Sequence, residues 1–133
     1  MEKRILKIGR WKVTFFFVIE NYDKEKILVS LFDAGAPDEI LDRVEEIMDK
    51  GSLDCGFTYT NPWRYLAVTV IGPVSSKEEF INTLTHEIHH LAVAIAENLG
   101  LSLESETPAY ISGDLAREFA ALVCRLGCPH CKL

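Results

Sequence analysis

A single long helix is written into the chain between Ser75 and Gly100. Ser75 and Ser76 each stand three residues before a glutamate, Glu78 and Glu79, the pattern of a capping box at a helix start. At about 100° per residue, Phe80, Leu84, Ile88, Leu91, Ile95 and Leu99 fall within an arc of about 100°, a core-facing stripe of ordinary width. Gly100 stands just past the last apolar position, where a left-handed helix terminator belongs. A helix of this length must bury its stripe, and whatever else it carries is presented on the remaining faces.

The flanking segments predict a mixture of strands and helices. Lys12–Glu20 is dense in aromatic and β-branched residues and reads as a strand. A polar turn over residues 21–26 leads to a second expected strand, Ile27–Phe32, giving a hairpin, and Arg4–Ile8 adds a further short strand. Pro37, Asp38 and Glu39 open a helix whose Ile40, Leu41, Val44, Ile47 and Met48 repeat at helical spacing, with Lys50-Gly51 at its end. Gly56–Thr60 and Arg64–Ile71 are two more expected strands, joined through Asn61-Pro62-Trp63. A last helix is expected over Pro108–Leu126. The fold class predicted is α+β, with a small, mostly antiparallel sheet packed on the long helix and a helix following it. A chain of 133 residues without repeats or linkers reads as a single domain, 1–133.

Composition narrows the functional classes. Apolar residues make up 48% of the chain and charged residues 26%, enough to support a buried core. The net charge of −6 argues against nucleic acid as a partner, because phosphate backbones are held by surplus Lys and Arg. No run approaches the roughly 20 apolar residues of a membrane helix. The basic Met1–Arg10 stretch lacks the apolar core and cleavage site of a signal peptide, so a soluble, cytoplasmic protein is expected.

The chemistry lies in His86-Glu87-Ile88-His89-His90. His86 and His90 are one turn apart on a stripe distinct from the apolar one, so both imidazoles can reach one ion at about 2 Å. Glu87 is offset around the helix, outside the ligand shell but placed to accept a proton from a polarised water. His89 falls on the side away from Glu87 and is not expected to be a ligand. A catalytic zinc takes a third protein ligand. Glu97 is roughly 10 Å along the axis from His90, too far. Glu106, at the start of the last helix, shares a face with Ala109 and Tyr110. Ala109 and Gly113 form a small-residue face that would admit close packing on the long helix. Glu106 is therefore favoured, with the loop residue Glu104 next and Asp114 also available. Tyr110 either donates to a developing oxyanion or packs at the helix interface with its hydroxyl at the surface.

His86-Glu87-x-x-His90 followed by Glu106-Thr-Pro-Ala109-Tyr110 resembles the gluzincin branch of the zinc metallopeptidases. Asn82-Thr-Leu-Thr ahead of the motif adds similarity to small HExxH proteins of phages and mobile elements. The resemblance covers roughly residues 56–126. It implies a zincin-like fold in which His86, His90 and Glu106 hold Zn2+ and Glu87 is the catalytic base acting on a peptide or protein substrate. It also implies that Arg64–Ile71, the strand before the metal helix, lies at a sheet edge. A non-catalytic zincin-like module that binds a metal or a partner is the alternative, and a metal-free acidic structural protein is a third.

Of the four cysteines, Cys124, Cys128 and Cys131 crowd the C-terminus and Cys55 stands alone. This is no disulfide framework, and free thiols are expected. Cys128-Pro129-His130-Cys131 resembles half a zinc ribbon, but no second CxxC completes it.

Overall fold

A two-residue turn at Gly9-Arg10 folds the N-terminus into a hairpin, with Gly9 at φ 59° in the left-handed region that favours glycine. Its arms are β1 (Glu2–Ile8) and β2 (Trp11–Phe17), antiparallel in the register Ile5↔Thr14. The computed structural model describes residues 2–18, 23–51, 56–73 and 76–127, the stretch 121–127 as backbone only. Two compact units make up the chain, Met1–Pro73 and Val74–Leu133.

In the first unit the expected strand Ile27–Phe32 is instead part of a helix, α1 (Lys24–Asp33). Two local effects favour the helix. Asp23 caps it, its carboxylate accepting from the Lys26 backbone N–H at 3.1 Å. The buried residues are Ile27 and Leu31, at i and i+4, while Val29 and Phe32 stay exposed. Burying Ile27 and Leu31 is worth about 1.5–3 kcal/mol each, and only the 3.6-residue period sends both the same way with Val29 outside. The hairpin partner of β2 is therefore β1 alone.

A tight turn follows α1. Gly35 has φ 89°, and its N–H donates to Phe32 O at 2.9 Å. Next comes α2 (Asp38–Asp49), for which Pro37 is the N-cap and not the expected first helical residue. Lys24 Nζ ties α1 to α2 through Asp49 at 2.9 Å and Glu45 at 3.4 Å. The Asp49 hydrogen bond, helped by Glu45, raises the Lys24 pKa above its ordinary value against some loss of hydration. That exposed tether is present at neutral pH, and deprotonation of Lys24 removes it as pH rises through the raised pKa.

The strands β3 (Gly56–Asn61) and β4 (Leu66–Ile71) complete a four-stranded sheet of order β1-β2-β4-β3. The sheet is mixed: β1·β2 and β3·β4 are antiparallel, but β2 and β4 pair in parallel, Thr14 opposite Val68. A parallel pair needs a long crossover, here supplied by α1 and α2. The expected edge position of Arg64–Ile71 is overturned, since β4 is hydrogen-bonded on both sides and the edges are β1 and β3. Its run Leu66–Ile71 is apolar on both faces, as an interior strand requires. Phe16, Val68 and Val70 on one face form a core with Ile27, Leu31, Val44 and Met48 of the two helices. The opposite face, with Trp11, Val13, Phe15, Phe17 and Ile71, is also buried.

The second unit is a pair of helices, α3 (Lys77–Asn98) and α4 (Thr107–Gly127), packed on each other. No helix among the described residues is long and apolar enough to cross a membrane.

Gly35→Ala is expected to destabilise the first unit by about 1–3 kcal/mol. A Cβ there meets Asn61 Nδ2 at 2.7 Å, the same atom that donates to Ala34 O at 2.9 Å, and the positive φ adds strain. Urea denaturation checks this; an unchanged midpoint would mean that the Ala34–Asn61 clasp is dispensable.

Candidate metal centre

The start of α3 is set by Ser76, whose Oγ accepts from Glu79 N at 3.2 Å, so Ser76 and Glu79 are the cap pair. Downstream, Phe80, Leu84, Ile88, Leu91 and Ile95 are buried as their spacing requires, while the expected last member of the stripe, Leu99, is exposed at the C-cap. The buried arc is broader than the apolar residues alone define, and it also takes in Thr83, Glu87, Ala92 and Ala96.

His86 and His90 lie outside that arc and are exposed. Their rings meet edge-on, with centroids 4.6 Å apart and planes at 81°. The two Nε2 atoms are 3.0 Å apart. As a direct contact this is a single N–H···N hydrogen bond, which requires one ring to donate from Nε2 and the other to accept there. The separation is also close to that of two nitrogens sharing a cation. In a tetrahedral site with nitrogen–zinc bonds of about 2.0–2.1 Å, two ligand nitrogens sit about 3.3–3.4 Å apart. The observed separation is a few tenths of an ångström short of that bite, within reach of small side-chain rotations. His89 is exposed beside them, its ring centroid 6.3 Å from that of His90.

Glu87, by contrast, is 3% exposed and has an interaction partner. A carboxylate on the buried side of α3 is the largest departure from the expected polar face. Its cause is positional: Glu87 lies at the edge of the apolar stripe on the helical wheel, next to Phe80 and Leu91, and is carried inward with them.

Glu106 is exposed at the head of α4, where its carbonyl accepts the first helical N–H, from Tyr110 at 3.0 Å. The structure brings His86 and His90 together but does not add Glu106. Among the described residues, no three His, Cys, Asp or Glu side chains gather closely enough to hold an ion. Glu104 and Glu97 are exposed, and Asp114 accepts from Arg117 Nη2 at 3.3 Å. The small-residue face expected to pack on α3 is also corrected: Ala109 is exposed, and a Cβ added at Gly113 meets nothing within 4 Å. The buried residues of α4 are instead Ile111, Leu115 and Phe119, at i, i+4 and i+8. Tyr110 stands on the exposed side and does not pack at an interface. Cys55, Cys128, His130 and Cys131 lie outside the described residues, as does the side chain of Cys124.

No family model, curated protein or solved structure matches the chain.

His86→Ala and His90→Ala are each expected to weaken zinc binding by at least about a hundredfold, a loss of about 2.7 kcal/mol. His89→Ala should leave it unchanged. Competition titration against a chromogenic chelator reads this directly, and equal affinities across the three variants would remove the paired imidazoles as the anchor.

Proposed function

We propose that the chain is a zinc-dependent hydrolase, most simply a metallopeptidase of zincin-like kind, with α3 as its metal helix. The observation that supports this reading is the pair of exposed imidazoles, one helical turn apart with their Nε2 atoms 3.0 Å from each other, and a carboxylate at the next residue after His86. In this reading His86 and His90 are two ligands of Zn2+. Glu106 completes the set by moving from its exposed position at the head of α4, through the loop Leu99–Glu106. When bound, the ion supplies Lewis acidity to a water molecule. Glu87 would serve as the proton acceptor beside the ion, and its buried setting shields it from bulk solvent, which strengthens its electrostatic interactions. The substrate class is a peptide or protein, and the compartment proposed is the cytoplasm.

One observation favours a second reading. Glu87 is buried and already partnered, and Glu106 stays apart from the histidines. A two-histidine half-site of this kind suits a non-catalytic module that binds a metal or a metal-dependent partner, such as a regulatory component of a phage or mobile element.

Glu87→Gln separates the two. The hydrolase reading expects cleavage of a mixed peptide library by the zinc-loaded protein, a fall of about 10²–10⁴-fold in the variant, and unchanged zinc content. If the variant retains full activity, Glu87 is not the base. If the zinc-loaded wild type cleaves no peptide, the binding-module reading replaces the hydrolase.

A further inference from the structure

The first unit holds a cavity between α1 and the β1–β2 hairpin that the hydrolase reading does not use. Its inner lobe, about 170 Å³, is bounded by Lys3, Lys12 and Thr14 on the sheet side and by Ser30 and Asp33 on α1. An outer lobe of about 450 Å³ continues from it along α1, past Glu25 and Val29, and shares Lys3, Ser30 and Asp33 as its wall.

Thr14 carries the argument. It is the polar member of an otherwise apolar run, Val13–Phe17, on an interior strand, and only 8% of it is exposed. Among the described residues its side chain makes no hydrogen bond. Among the described residues no fully occluded side-chain polar atom lacks a partner, so the Thr14 hydroxyl opens onto the cavity it lines.

The charges around it are equally unspent. Neither Lys3 nor Lys12 forms an ion pair among the described residues, and Lys3 Nζ rests 5.8 Å from the centroid of the Phe16 ring. Register places the two lysines diagonally about the Ile5↔Thr14 pair, since Lys3 faces Phe16 and Lys12 faces Lys7. Asp33, across the cavity, is likewise unpaired. The inner lobe therefore offers two cations and a hydroxyl on one side and a single carboxylate on the other.

We propose that this cavity binds a free α-amino acid. The ligand carboxylate lies between Lys3 and Lys12 and accepts from Thr14 Oγ1. Its ammonium faces Asp33, and its side chain runs into the outer lobe past Val29. The inner volume is below the 300–1,000 Å³ of pockets for drug-sized ligands and suits a group as small as an amino-acid backbone. The site involves no residue of α3 or α4, so it stands or falls independently of zinc.

The test is a titration of the full chain with each common amino acid, followed by amide chemical shifts, with acetate and ethylamine as probes carrying only one of the two charges. At least one amino acid is expected to bind saturably by about 10 mM, shifting residues 12–14 and 30–33. Acetate and ethylamine are expected to bind at least about tenfold more weakly. Thr14→Val, which preserves shape, and Asp33→Asn, which is exposed and leaves the core intact, should each weaken binding about tenfold. The proposal is overturned if no amino acid saturates, if acetate binds as well as the amino acids, or if Thr14→Val, with native spectra, binds as well as the wild type.

Discussion

Burial of one side of α3 is the constraint on which the candidate centre depends. Phe80, Leu84, Ile88, Leu91 and Ile95 lock the rotation of the helix about its own axis. Once that rotation is set, the 3.6-residue period leaves no freedom in where the motif points: His86 and His90 face outward and Glu87 faces inward. A rotation by a single residue position would bury an imidazole and expose an isoleucine, at a cost of several kcal/mol from lost apolar burial and an unsatisfied ring. The 3.0 Å convergence of the two nitrogens is thus a consequence of core packing as much as of the motif.

The same packing separates the roles that the five-residue motif joins in sequence. The two ligand candidates are accessible to an ion from solvent, whereas the carboxylate that would act beside them is enclosed and partnered. Such a carboxylate is well protected for proton transfer, but it must be exchanged from its present partner before it can accept one. Glu106 poses the complementary problem, being exposed but not gathered with the pair. In the loop before it, residues 99–106, the Ser102 carbonyl accepts from Ser105 Oγ at 2.6 Å and Leu101 and Leu103 are exposed.

How far all this was legible in the sequence differs from element to element. The extent of α3 is legible because three independent signals agree, the Ser76–Glu79 cap, the apolar period and the terminating glycine, although its buried arc is wider than the apolar residues show. α1 was misread because its apolar residues are nearly continuous from Ile27 to Phe32, and a short continuous run has no distinguishing period. The decisive signal was Asp23, three residues ahead of the Lys26 N–H it caps. The parallel pairing of β2 with β4 was hidden for a different reason: strand order is a long-range property, and the apolarity of Leu66–Ile71 on both faces was its one local trace. Burial of Glu87 has a weaker local trace, its place at the margin of the apolar stripe beside Phe80 and Leu91. Thr14 offered a similar clue, a lone hydroxyl inside an apolar strand.

X-ray absorption at the zinc edge of the stoichiometrically loaded protein tests the central claim most directly, because it reports donor atoms without assuming which residues supply them. The account predicts a first shell of nitrogen and oxygen at about 2.0–2.1 Å, with the multiple-scattering signature of two imidazoles. A first shell dominated by sulfur at about 2.3 Å would place the ion on the C-terminal cysteines and contradict a centre built on His86 and His90.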